Sequence, residues 1–160
     1  MKFATKWLSL VTLLAFTITL TNCGGDDDEK SEEEVQLGKL RGAWTMTSVD
    51  NDGVDRSDEY HNMQITLSGN FVKGGTYNLT SEADDWPSVS PWNDDDTWKF
   101  NPASISTMIV RQSDLQDMNY TLTNGDNELR IEFDYTGPGF NNSGRTASVS
   151  GNWVFKFTKN

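Results

Sequence analysis

Cysteine and histidine are nearly missing from these 160 residues, with one of each, Cys23 and His61. A lone cysteine excludes an internal disulfide, and the two together exclude a zinc site of the His–Cys kind. A serine triad would have to recruit His61 from the polar stretch Tyr60-His61-Asn62, where an ordinary surface histidine is the simpler reading. Basic residues are also scarce, 13 against 24 acidic ones, for a net charge of −11. That balance excludes a nucleic-acid partner and electrostatic attachment to anionic lipid, since both need a basic face. No apolar run is long enough for a membrane-spanning helix, the longest being the uncharged stretch 7–20. No segment carries a sustained helical stripe either, and residues 31–40 offer only a short turn of helix.

The N-terminus holds most of what is distinctive. Lys2 and Lys6 precede the run 7–20, and Cys23 follows it, with Gly24-Gly25-Asp26-Asp27-Asp28-Glu29 and Glu32-Glu33-Glu34 directly after. A basic start and a short apolar core describe a secretory signal over residues 1–22. Leu20-Thr21-Asn22-Cys23 resembles the lipobox of bacterial lipoproteins, with Asn22 departing from the usual small residue before the cysteine. The acidic run resembles the export tag of surface lipoproteins in Bacteroidota. The resemblance implies cleavage before Cys23, acyl chains on that residue, and anchorage in the outer membrane. Display at the cell surface is the first expectation and the periplasmic leaflet the alternative. Without residues 1–22 the chain keeps 24 acidic and 11 basic side chains, or −13. Seven of the acids lie between Asp26 and Glu34. So dense a block repels itself, and residues 23–36 read as a solvated tether reaching roughly 45 Å when extended.

From Leu37 onward apolar and polar residues alternate in short runs separated by Gly, Asn and Asp. Eight strands are expected, near 43–49, 63–67, 76–80, 97–101, 107–112, 118–123, 129–135 and 152–158. Period-two alternation with one apolar face marks an antiparallel sheet wetted on one side. The doublet Gly74-Gly75 predicts a bulge or sharp bend. Eight strands on tight connections predict one domain over residues 37–160, an all-β, eight-stranded antiparallel up-and-down barrel, with a β-sandwich as the alternative.

Leu40-Arg41-Gly42-Ala43-Trp44 resembles the Gly-x-Trp opening of lipocalins. Trp86-Pro87, Thr97-Trp98-Lys99-Phe100 and the closing Gly151-Asn152-Trp153-Val154-Phe155-Lys156-Phe157 resemble lipocalin-like lipoproteins of Bacteroidota. In lipocalins an arginine near the last strand packs on that first tryptophan. No arginine follows Arg145, which leaves Lys156 for the contact. The resemblance implies a barrel with a cup and names no ligand.

Two acidic loops, 48–59 and Asn93-Asp94-Asp95-Asp96, invite a calcium reading. The first has Ser48 and Arg56 at ligand positions, and a solvated turn is the better reading of both. Neither a metal nor a cofactor is expected, and no catalytic residue stands out. The aromatic residues decide more. Trp86 and Trp92 lie off any strand, either plugging the barrel end, the favoured role, or offering flat faces to a sugar. Trp98 alternates with Phe100 as core, Tyr60 lies just before the second strand, and Phe140 centres the glycine-rich loop 137–144. Trp86, Trp92, Trp98, Tyr60 and Phe140 are therefore the candidate ligand-binding residues, and Cys23 the lipid attachment. Because many bulky residues share the inward face, a deep cavity and a shallow site at the mouth are about equally expected. The leading reading is a non-enzymatic, lipid-anchored binder of a small apolar or amphipathic molecule. A surface module engaging glycan or protein through loop aromatics is the alternative.

Overall fold

The computed structural model describes residues 29–60, 62–70, 74–80, 90–140 and 149–160. One helix, α1 (Glu32–Leu40), opens the folded unit that begins at Ser31. The Ser31 hydroxyl accepts a hydrogen bond from the Glu34 amide at 3.2 Å, and three glutamates fill the first turn. Acidic side chains at the positive end of a helix are stabilising, so the charge run that reads as tether starts a helix instead. Residues 32–36 thus belong to the folded unit. Leu37 and Leu40 are buried and fix its inner face.

Nine strands follow: β1 (Gly42–Asn51), β2 (Val54–Asp55), β3 (Gln64–Asn70), β4 (Gly74–Thr80), β5 (Asp95–Phe100), β6 (Met108–Arg111), β7 (Asp117–Thr123), β8 (Glu128–Tyr135) and β9 (Gly151–Lys159). Each pairs antiparallel with the next around the ring from β3 to β9, and β1 pairs with both β3 and β9. That double pairing closes an eight-stranded up-and-down barrel of lipocalin-like form and rules out the sandwich. The extra strand β2 folds back on β1 through Asp52-Gly53, both at positive φ, the two-residue turn that a tight hairpin favours.

Side chains alternate as the sequence predicts. On β8, Leu129, Ile131, Phe133 and Tyr135 point inward, and on β9 Trp153, Phe155 and Phe157 do the same. The expected bulge at Gly74-Gly75 is absent, since β3 and β4 keep one register through both residues. Packing explains the doublet: a Cβ on Gly75 would stand 2.6 Å from the Trp98 ring. The irregularity falls in β1 instead, between Met46 and Ser48.

One end of the barrel is sealed by α1. The Trp44 indole donates to the Leu40 carbonyl at 2.9 Å, and the Tyr120 hydroxyl donates to the Ile105 carbonyl at 2.6 Å. The cation over Trp44 is Lys159, its ammonium 5.0 Å from the ring and bonded to the Lys39 carbonyl at 2.8 Å. Lys156, three residues earlier, lies on the outer wall, because odd positions of β9 face in only as far as Phe157 and Lys159 reaches round the barrel's end.

Candidate functional site

The opposite end is the mouth, where the connections between β4 and β5, β6 and β7, and β8 and β9 lie. Chain from two of them meets there. Ser90 and Phe140 form an isolated bridge, with amide-to-carbonyl distances of 3.2 and 2.7 Å. Two residues on, Trp92 drops into the barrel and is fully buried. Its ring meets Tyr77, Phe133 and Phe155 edge to face, at centroid distances of 5.3, 5.4 and 5.6 Å. An indole in a strand-less segment thus does the work of core, the plug role anticipated for it.

Above Trp92 lies an arginine that the sequence reading did not single out. Arg111 ends β6 on the inward face, two residues after buried Ile109, and its side chain has 0% exposure. Nε and Nη2 donate to the Asp114 carboxylate at 2.9 and 2.6 Å, and Nη1 donates to the Pro91 carbonyl at 2.7 Å. Four aromatic rings surround the guanidinium, Phe140 at 5.0 Å, Tyr135 at 5.6 Å, and Trp92 and Phe133 at 5.8 Å. A buried cation needs such partners, because its desolvation costs several kcal/mol, of order, if left unpaired. Burial pushes the Asp114 carboxyl up, but hydrogen bonds from Arg111 and its charge outweigh that and hold it below the ordinary value. The signal in the sequence was alternation itself: Ile109 inward places Arg111 inward, with an aspartate three residues later.

The remaining polar atoms here are less well matched. The Trp92 indole nitrogen is buried and makes no hydrogen bond, and the Tyr77 hydroxyl is buried with the Arg111 guanidinium as the group acting on it. An orphaned buried group costs about 1–3 kcal/mol. Burial is the largest influence on the Tyr77 phenol and raises it well above its usual range, with Arg111 pulling the other way.

The candidate residues separate into groups. Tyr60 and Trp92 both meet Phe155 edge to face, at 5.4 and 5.6 Å. Phe140 joins them through the Ser90 bridge and Arg111, and is only partly buried. Trp98 stands apart, buried against Gly75 with its indole donating to the Thr76 carbonyl at 3.3 Å. Cys23, His61 and Trp86 lie outside the described residues, as do residues 141–144 of the glycine-rich loop.

Outside Arg111, the 114–116 turn and residues 135–140 enclose a cleft of about 330 Å³. Tyr135 and Phe140 supply its apolar wall, Asp114 and Gln116 its polar one. Leu115, between the lining residues Asp114 and Gln116, is 73% exposed and at φ +57°, a backbone region that a leucine seldom adopts. Two outer-wall grooves share Arg130 and Lys156, which sit opposite each other between β8 and β9 among hydroxyls and carboxylates.

The acidic loops are occupied by their own turns. Asp50 accepts from the Gly53 amide at 2.8 Å, Asp52 from the Asn152 amide at 2.9 Å, and Asp55 from the Ser57 amide at 2.9 Å. Among the described residues no group of three or more His, Cys, Asp or Glu side chains is placed to hold a metal ion. Fold and site together define a closed lipocalin-like barrel with a filled interior and a small amphipathic cleft at its mouth. No protein-family model matches the sequence, and no curated protein matches it.

Proposed function

We propose that this protein is a lipid-anchored, lipocalin-like binding protein of the outer membrane that takes a small amphipathic molecule at the barrel mouth. The observation carrying this reading is the cleft between the 114–116 turn and residues 135–140. It sets an aromatic wall against polar groups, it falls within the size range of small-molecule sites, and between its lining residues Asp114 and Gln116 stands a strained, exposed leucine. Trp92 fills the barrel below, so the mouth favours a shallow site over a deep one. The same burial weighs against sugar stacking on Trp92, one of the two loop tryptophans that such binding would use. Anchorage rests on Cys23 and the residues around it.

Native mass spectrometry of the full-length protein, titrated with fatty acids, bile-acid-like amphiphiles and oligosaccharides, tests the reading. A one-to-one amphiphile adduct that weakens at least tenfold in Phe140→Ala and Leu115→Ser is expected. Oligosaccharide binding indifferent to both substitutions would replace it with the glycan reading.

A further inference from the structure

The plug is itself shaped like a ligand. We propose that Trp92 is a displaceable, built-in occupant of the barrel, and that a planar aromatic carboxylate entering from the mouth expels it and takes its place. This goes beyond the mouth reading: the ligand enters through the mouth but comes to rest below it, in the slot that Trp92 otherwise fills.

Three observations carry the inference. First, the slot wants an aromatic ring. Tyr77, Phe133 and Phe155 all stand perpendicular to Trp92 in edge-to-face pairs, with interplanar angles of 90°, 89° and 85°. Ring edges are electropositive and ring faces electronegative, so an aliphatic occupant would forfeit that match. The Arg111 guanidinium, 5.8 Å from the same ring, makes the same demand.

Second, the plug satisfies the slot poorly in polar terms. The indole N–H of Trp92 is buried without a partner, and the buried hydroxyl of Tyr77 has only the guanidinium of Arg111, already bonded to Asp114 and Pro91, acting on it. A residue fixed permanently in a core normally has its polar atoms paired, and unpaired ones call for an explanation. Expulsion frees the indole N–H to meet water and leaves the Tyr77 hydroxyl available to an incoming acceptor.

Third, the segment is held by replaceable contacts. Trp92 enters behind Ser90, whose hydroxyl accepts from the Trp92 amide at 3.1 Å, and behind Pro91, whose carbonyl accepts from Arg111 at 2.7 Å. When the segment leaves, Arg111 Nη1 loses its acceptor while both bonds to Asp114 can remain. The group that replaces the Pro91 carbonyl must accept a hydrogen bond from a cation, and a carboxylate does this best. A ring for the slot and a carboxylate for Nη1 together set the ligand class.

The experiment is a titration of the full-length protein, labelled with 5-fluorotryptophan, with indole-3-acetate and with uncharged 3-methylindole, followed by fluorine NMR. Trp92→Phe assigns the Trp92 resonance. Indole-3-acetate is expected to move that resonance to a solvent-exposed position, broadened by a soluble paramagnetic quencher, and to bind at least tenfold more tightly than 3-methylindole. If the Trp92→Phe protein does not fold, the labelled wild type reads the same event, as one buried fluorine resonance made accessible to the quencher by the ligand. Saturation with indole-3-acetate while every buried tryptophan stays buried would overturn the proposal. If that binding is also lost in Phe140→Ala, the mouth reading survives alone. No binding of indole-3-acetate overturns the proposal as well, and leaves the mouth reading to the amphiphile titration.

Discussion

Arg111 and Asp114 show how one pair can organise the end of a barrel. The guanidinium is fully buried, bonded at both faces of its fork, and enclosed by rings from one strand and two loops. Removing the carboxylate leaves a buried cation with the rings and the Pro91 carbonyl but no counter-charge. Asp114→Asn should therefore destabilise the protein by about 2–3 kcal/mol, toward the low end for such pairs because the Asp114 side chain is 30% exposed. The pH dependence follows from the same pair. Asp114 is held below its ordinary value in the folded state, so its contribution is present above the unfolded value, near 4, and is lost as pH falls through the lower folded one. Thermal melts between about pH 5 and pH 2 should show a fall in wild type that Asp114→Asn reduces. Equal slopes in the two proteins would exclude Asp114 as the source. At this scale the sequence was legible where side chains alternate and opaque where they insert from loops. The inward faces of β8 and β9 could be read directly. The depth of Trp92 could not, because it depends on where the Ser90–Phe140 bridge carries the chain.

Among the elements, α1 is the one whose boundary composition misjudges. Seven clustered acids describe a self-repelling tether, yet the last three sit at a helix N-terminus where their charge is favourable. Ser31→Ala should cost about 1 kcal/mol, with Ser31→Asp close to neutral, as measured by denaturant unfolding. Equal losses for both would mean that the cap contributes nothing. The Gly74-Gly75 doublet carries a related lesson. Glycine in a strand can mark a bulge or a close approach, and only the position of Trp98 decides for the second. β2 escaped the reading because two residues give no alternation to see, although the Asp52-Gly53 turn that makes it was visible.

For the molecule as a whole, closure follows from β1 pairing on both sides, and the bulk of the inward residues follows from the sequence. What fills the mouth does not, since it depends on contacts between segments far apart in the chain, such as Arg111 with Pro91. The proposed anchor is independent of the barrel. Cys23→Ala should abolish incorporation of labelled fatty acid and move the protein from the membrane to the soluble fraction. Retention of the variant with alkaline-washed membranes would remove the lipoprotein reading and leave the barrel untouched.

The mouth site is tested most directly by amide chemical-shift mapping of the isotope-labelled protein during titration with the tightest amphiphile from the mass-spectrometric screen. Binding at the mouth predicts saturable shifts concentrated at residues 114–116 and 135–140. Shifts concentrated instead on the outer wall around Arg130 and Lys156 would contradict it.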